Sequence, residues 1–352
     1  MFVNGLGTAN PPHRYTKTQC WDAFRASDWF LRLDRRSRAI AETVLLHDNG
    51  IEARRLALTT LDEVFRIDPD TLHRRFVMHA PALAAQAAAT ALDDAALTPI
   101  DIDAVIVSTC TGYLCPGLSS YVTERLGLRR EIQAFDLVGQ GCAAALPNWR
   151  LAKALLADHD AQHVLSICVE VSSAAMYLDD DPGVLISACL FGDGAGAAVL
   201  SSTCGTRRRS IEFTTARSLV NPDEREALRF ETRDGLLRNV LTRPVPRLAA
   251  DYARQVLDAA LGEAGLVQAD ISAWILHAGG RDVLKALRRE LDLGANDLGY
   301  SAAMLHEYGN MSSAFVYFVL QAALADGAPP GWWWMSSFGA GFSCHGALLR
   351  VA

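Results

Sequence analysis

Leu92–Thr111 reads LDDAALTPIDIDAVIVSTCT, and Leu261–Gly280 reads LGEAGLVQADISAWILHAGG. Seven of these twenty positions are identical, at an offset of 169 residues. Both segments run from a helix end through an Asp-Ile turn into a short apolar strand and a loop of small residues. A second pair follows at nearly the same offset: Gly141–Asp158, GCAAALPNWRLAKALLAD, and Gly309–Asp326, GNMSSAFVYFVLQAALAD. Each sets a glycine before a polar residue and then a long helix ending in Leu-Ala-Asp. Two matches in the same order mark a duplication. The chain is therefore read as two similar α/β halves, residues 1–205 and 206–352, with the boundary near Cys204–Ser210.

Strands alternate with helices in both halves. DAVIVST, IQAFDL, HVLSICVEV and GAGAAVLS belong to the first; SAWILHA, GWWWMSS and SCHGALLRV belong to the second. Their near-continuous apolar character suggests sheets covered on both faces. The helices over 143–158 and 311–326 are apolar nearly all round and should be buried. A layered αβαβα architecture follows.

The chain has 352 residues, half of them hydrophobic, and a net charge of −7. Lys and Arg form no recurring cluster, and Arg207–Arg209 is a single short run read as a solvated loop, so nucleic acid is a poor partner. The start, MFVNGLGTANPP, lacks a basic n-region followed by an apolar h-region, and no run of 18 apolar residues occurs. Neither a secretory signal nor a membrane span is expected. The eight cysteines form no CxxC pair, and most lie inside apolar runs. Reduced thiols in a cytoplasmic protein, with no disulfide framework and no metal site, fit that usage.

VGQGCAAALPN, Val138–Asn148, puts Cys142 where a strand stops and a helix starts. The second pair makes Asn310 its equivalent, each as the first residue of a buried helix. His277 ends the strand AWIL at the counterpart of Ser108. If the halves are related by a pseudo-twofold axis, thiol, imidazole and carboxamide converge on one cavity. Unpaired N–H groups at a helix start favour thiolate over thiol, and glycines at 139 and 141 permit a tight turn. Taken singly, a cysteine in an alanine-rich helix is a core residue and a histidine after a strand is a surface group. Their placement at duplicated element ends outweighs that. Cys344-His345 is read as core and edge, Asp193 of FGDGAG as a turn residue, and Trp332–Trp334 as a buried strand.

GQGCAAALPN, HAGGRDVL and EYGNMSSAFVYFVL together resemble the chalcone-synthase-like type III polyketide synthases of the thiolase superfamily, as do RRFVMHAPAL, FGDGAGAAVL and SFGAGFS. The resemblance covers the chain from about residue 70 onward and implies the thiolase-like fold. It implies that Cys142 accepts a starter acyl group from coenzyme A, paired as thiolate with His277. His277 and Asn310 would bind the thioester carbonyl of malonyl-CoA during decarboxylative condensation. Cyclisation of the polyketide follows, to an alkylresorcinol or alkylpyrone if the starter is a long acyl chain. No cofactor is implied beyond the coenzyme A thioester substrates, and a homodimer is implied, with Cys115 near the partner's cavity.

Family pocket positions fall on Cys110, Thr111, Ser172, Ala174, Ala175, Phe191, Gly235, Ser312 and Phe338. Phe191 matches one gatekeeping phenylalanine, and the second falls near Pro244. Ser337 and Ala340 replace the usual Gly and Pro of a GFGPG loop. Small residues at 174 and 175 suggest a tunnel for a fatty acyl starter; refilling by Met176 or Met311 would instead leave a compact pocket for an aromatic or short acyl starter. Arg74 and Arg75 are candidates for gripping coenzyme A phosphates. The rival of the same fold is an initiating ketoacyl-carrier-protein synthase, disfavoured because its His-Gln-Ala-Asn run is His277-Ala-Gly-Gly here. A Cys-His-Asn hydrolase and a non-catalytic subunit are the remaining alternatives.

Overall fold

The central apolar runs cannot alternate because both of their faces are covered. In the runs around 104–108 and 163–170, Val105, Val107, Leu165, Ile167 and Val169 enter one hydrophobic cluster, while Ala104, Ile106, Val164 and Cys168 enter another. A strand buried on both sides loses its polar face and reads as continuous hydrophobic sequence.

The computed structural model describes residues 1–158, 161–205 and 209–352. Its strands are β1 (Phe2–Ala9), β2 (Arg14–Thr16), β3 (Ala53–Arg55), β4 (Ala104–Ser108), β5 (Gln133–Leu137), β6 (His163–Glu170), β7 (Gly194–Ser201), β8 (Ile211–Val220), β9 (Leu228–Arg233), β10 (Leu236–Leu241), β11 (Ile271–Leu276), β12 (Gly331–Gly339) and β13 (Ser343–Val351). The α-helices are α1 (Lys17–Ala26), α2 (Asp28–Arg32), α3 (Arg35–Leu46), α4 (Pro69–Ala95), α5 (Leu118–Leu126), α6 (Ala145–Ala157), α7 (Pro182–Leu190), α8 (Val245–Ala264), α9 (Arg281–Glu290), α10 (Gly299–Tyr308) and α11 (Phe315–Ala325).

Nine strands form one mixed sheet in the order β11-β12-β13-β8-β1-β7-β6-β4-β5. Outward from its centre, β1-β7-β6-β4 and β8-β13-β12-β11 follow the same path: two antiparallel pairings, then a parallel one. The duplication read from the sequence therefore survives as topology, with β5 unmatched on the other side. The two sides meet at a narrow seam, the single register pair Phe2↔Glu212 with a Phe213 N–H donating to the Met1 carbonyl at 2.8 Å.

Helix α4 covers the first half, α8 covers the second, and α6 and α11 lie between, touching strands of both. This is the expected αβαβα layering. Trp149 of α6 donates through Nε1 to the Tyr317 hydroxyl of α11 at 3.0 Å, inside a core cluster that runs from Val3 to Val351. The halves share their middle layer. The predicted boundary at 205/206 adjoins residues 206–208, and these, including Arg207 and Arg208 of the basic run, lie outside the described residues.

All seven strands read from the sequence are present. Both central ones, β1 and β8, were not legible. In β1 the apolar run is broken by Gly5 and Gly7, and close approach of α4 explains them. A Cβ at Gly5 would stand 2.0 Å from the Ala91 carbonyl oxygen, and one at Gly7 2.1 Å from that of Ala87. All eight cysteines are free. Among the described residues no helix is long and apolar enough to cross a membrane.

Candidate active site

Gly139 and Gly141 adopt φ of 83° and 53°, reversing the chain after β5. Cys142 then sits in a short 3-10 turn, Gly141–Ala143, before α6 starts at Ala145. It is not the first residue of the helix, as expected, but belongs to the turn feeding it. The SFGAG segment presses on this turn. A Cβ at Gly339 would lie 2.4 Å from the Gln140 carbonyl oxygen, so only glycine fits, and Ser337 Oγ donates to the Ala143 carbonyl at 3.3 Å.

Asn310 likewise precedes a 3-10 turn, Ser312–Ala314, rather than heading α11. Its backbone is clamped to the end of α7: Asn310 N–H donates to the Leu190 carbonyl and Gly192 N–H to the Asn310 carbonyl, both at 2.9 Å. The side chain is oriented as firmly. Oδ1 accepts from the Ser312 N–H at 2.8 Å, so Nδ2 must be the donating end, and it reaches the Gly279 carbonyl at 3.0 Å. One N–H of that amide stays free to donate elsewhere. His277 follows β11, held by its N–H to the Ser336 carbonyl at 2.9 Å. Its ring packs against Phe315 and Phe338, and both ring nitrogens are buried without a hydrogen-bond partner among the described residues.

Cys142, His277, Asn310 and Phe338 line one open cleft of about 1790 Å³, solvent at its mouth included. The convergence expected from the duplication is met. Burial pushes the Cys142 thiol up to about 12, opposed in part by a hydrogen bond from Ser312 Oγ to Sγ at 3.2 Å. Burial alone drives the His277 imidazole down to about 3. No hydrogen bond joins Cys142 to His277, and each group is held neutral by its surroundings. The thiolate–imidazolium pair implied by the resemblance has no hydrogen bond joining its two members in this arrangement.

An inner chamber adjoins the cleft at Phe191, with about 480 Å³ of space between atoms, open solvent included. Cys110, Thr111, Ser172, Ala175, Phe191 and Ser312 line it as expected, and Phe191 also lines the outer cleft. Two predicted pocket residues are elsewhere. Ala174 is absorbed into the hydrophobic core beneath α4. Gly235 is exposed in the turn between β9 and β10. Asp234 and Gly235 there have φ of 52° and 77°, the double left-handed turn that an Asp-Gly dipeptide signals in a hairpin. That dipeptide was the available cue. What the hairpin brings to the chamber is the cross-strand pair Phe230 and Asn239. Pro244, the expected second gate, is exposed ahead of α8.

A third, apolar cavity lies among α1, α3 and α7, with about 500 Å³ of space between atoms, open solvent included. Leu56, Met176 and Ala188 line both it and the inner chamber and so form the partition. Met176, and not position 174, stands between the two spaces. The candidate phosphate-gripping residues are also displaced. Arg75 is buried, donating to the Ser173 and Glu63 carbonyls, and Arg74 is held to Thr71. The basic residues along the cleft are instead Arg36, His47, Arg243 and Arg281.

Glu170, at the end of β6, is the functional candidate that sequence reasoning missed. Its buried carboxyl takes hydrogen bonds from the Cys110 N–H at 3.0 Å and from the Thr109 and Thr111 hydroxyls at 3.2 and 3.1 Å, with Ser313 on the other oxygen. Burial raises its pKa, and these donors pull it back down. An acid closing an otherwise apolar run, HVLSICVE, was the signal. Asp193 likewise does more than hold a turn: it joins Ala57 N–H at 2.7 Å to the Ser173 N–H and hydroxyl at 2.9 and 2.6 Å.

Two family models match the chain: an FAE1/type III polyketide synthase-like protein over residues 58–220, and the C-terminal domain of chalcone and stilbene synthases over 212–351. The 1,3,6,8-tetrahydroxynaphthalene synthase of Streptomyces peucetius subsp. caesius is 30% identical, covering 99% of this chain and 92% of that protein. The alpha-pyrone synthesis polyketide synthase-like Pks18 of Mycobacterium tuberculosis is 28% identical over 99% and 91%. The crystal structure of PKS-I from the brown alga Ectocarpus siliculosus superposes with a TM-score of 0.89 at 26% identity, over 99% and 97%. The chain thus belongs to the type III polyketide synthases, condensing acyltransferases of the thiolase-like fold.

Proposed function

We propose that Cys142 takes a starter acyl group from a coenzyme A thioester and that His277 and Asn310 direct its extension with malonyl-CoA. The observation that carries this is a neutral imidazole with two unpartnered nitrogens in the same cleft as the thiol and an Asn310 amide with an N–H to spare. In loading, Cys142 sulfur attacks the starter carbonyl, its proton passes to the free nitrogen of His277, and coenzyme A departs with that proton. In extension, the malonyl thioester oxygen accepts from His277 and Asn310 Nδ2. Carbon dioxide leaves, and the electron pair of the broken C–C bond becomes an enolate whose charge those donors hold. The enolate carbon attacks the acyl–Cys142 carbonyl, the C–S bond breaks, and a chain two carbons longer remains on coenzyme A. The Arg36, Arg243 and Arg281 guanidinium groups along the cleft support a phosphate-bearing carrier.

The starter in this reading is a long fatty acyl group, and the product an alkylresorcinol or alkylpyrone. The apolar cavity beyond Leu56, Met176 and Ala188 supports it, since an alkyl tail there leaves the oxygenated segment in the inner chamber beside Asn239 and the Thr111 and Ser172 hydroxyls. The name of the Pks18 relative supports the pyrone form of the product. A compact aromatic or short acyl starter is the second reading, favoured by Met176 standing between the two spaces. Fatty acyl-CoAs and p-coumaroyl-CoA, each with labelled malonyl-CoA, decide by product mass. Alkyl products from C12–C18 starters are expected; exclusive use of the aromatic or a short starter overturns the lipid assignment. We also propose a homodimer formed through the ends of β4 and β5, where Cys115, Tyr113 and Val138 are exposed, to be checked by light scattering.

A further inference from the structure

Asn239 lies on β10 with 9% of its surface exposed, and it lines the inner chamber. Its Oδ1 is buried and has no hydrogen-bond partner among the described residues. Buried carbonyl oxygens are nearly always paired, and an exception asks for a reason. Structure does not supply one. The hairpin is seated by the preceding residue, Arg238, whose side chain takes the other face of the strand and meets Asp179 at 2.8 Å, Asp181 at 3.1 Å and Glu231 at 2.8 Å. Asn239 is left pointing inward, beside its cross-strand neighbour Phe230.

Four of the hydroxyls around the same chamber are already committed. Thr111 donates to Glu170, Ser172 to the Gly192 carbonyl, Ser173 to Asp193 and Ser312 to Cys142. We propose that Asn239 is a recognition residue for the oxygenated segment of the growing poly-β-keto chain. An enol O–H of a 1,3-dicarbonyl unit donates to Oδ1, and a neighbouring ketone accepts from Nδ2. A carboxamide suits this ligand because it meets both tautomers of the unit, donor and acceptor alike. No bond is made or broken: the contact holds the reactive chain extended away from Cys142 until the last unit is added. This rests on the condensation proposed above and adds to it what sets chain length.

The test uses the full-length enzyme and the Asn239→Leu and Asn239→Thr variants with an accepted starter and malonyl-CoA. The readouts are product masses per malonyl-CoA decarboxylated and the melting temperature of the free protein. In Asn239→Leu the ratio of the longest product to truncated pyrones is expected to fall about five-fold or more, the worth of one hydrogen bond. Its Tm is expected to rise by about 1–2 °C as an unpaired buried carbonyl is removed. Asn239→Thr, which keeps a donor and acceptor, recovers part of the ratio. An unchanged ratio in Asn239→Leu overturns the proposal, and so does a lowered Tm with all products reduced alike, which marks a structural residue. A wild-type enzyme that decarboxylates no malonyl-CoA overturns the condensation reading itself, and this proposal with it.

Discussion

The His277 imidazole has Phe315 and Phe338 at centroid distances of 5.4 and 5.1 Å, edge-on and tilted. Burial among such apolar neighbours disfavours the charged form, so the ring stays neutral and offers one N–H and one lone pair at once. In a Cys142→Ala variant no thiol remains to exchange protons with it. Malonyl-CoA decarboxylation by that variant should then hold within about two-fold from pH 7.5 to 5, because a ring titrating near 3 does not change state there. A fall centred near the ordinary histidine value would show a hydrated ring. Asn310→Ala, which removes one of the two donors, should lower decarboxylation by about 10²-fold with starter loading on Cys142 still detectable by intact mass. Cys142, His277 and Asn310 were legible because duplication puts polar residues at matched element ends, where packing gives them no reason to be. Glu170 and Asn239 were not: an acid closing an apolar run and an Asp-Gly dipeptide are local cues to a buried acid and a hairpin, but neither says which cavity those residues will meet.

Elements decide how much room the site has. Helix α7 supplies Ala188 to the partition between the inner chamber and the apolar cavity. Ala188→Phe should block the opening and shift acceptance toward starters shorter by several carbons, whereas Met176→Ala should lengthen them; competition between acyl-CoAs of different length, read by product mass, checks both. The end of α7 also shows why Gly309 is glycine. Its φ is 69°, and a Cβ would stand 2.7 Å from the Leu190 carbonyl oxygen and 2.9 Å from Arg54 Cγ. Gly309→Ala should cost about 2–4 kcal/mol in chemical denaturation and displace Asn310 as well. Helices α6 and α11 were readable from composition. The hairpin β9–β10 was not read as a hairpin, and Gly235 was consequently assigned to the pocket when its positive φ serves only the turn.

Over the whole molecule, two buried histidines tie stability to pH. His277 is lowered to about 3 and His345 to about 4, the latter by burial and then by Arg150. Below pH 6.5 the unfolded chain protonates both rings and the folded chain does not, so stability is complete above that value and is lost as pH falls toward the folded pKa. Glu170 and Asp193, both raised by burial, act in the opposite sense, their contribution fading as pH rises through the folded values. Comparing His345→Gln with wild type isolates one ring: the variant should lose about 2 kcal/mol less between pH 6.5 and 5. The sequence showed two halves at this scale, yet not that they share one sheet and one middle layer, because β1 and β8 carry too little apolar pattern to be seen as strands. That seam has a biosynthetic consequence. Strand β1 has its neighbours at Gly194–Ser201 and from Ile211 onward, so the whole stretch from Asn10 to Asp193 must be translated after it before either of its edges is satisfied. A nascent chain stalled or truncated before residue 194 is expected to be captured by chaperones or to precipitate, and a pulse of release beyond that point should restore solubility.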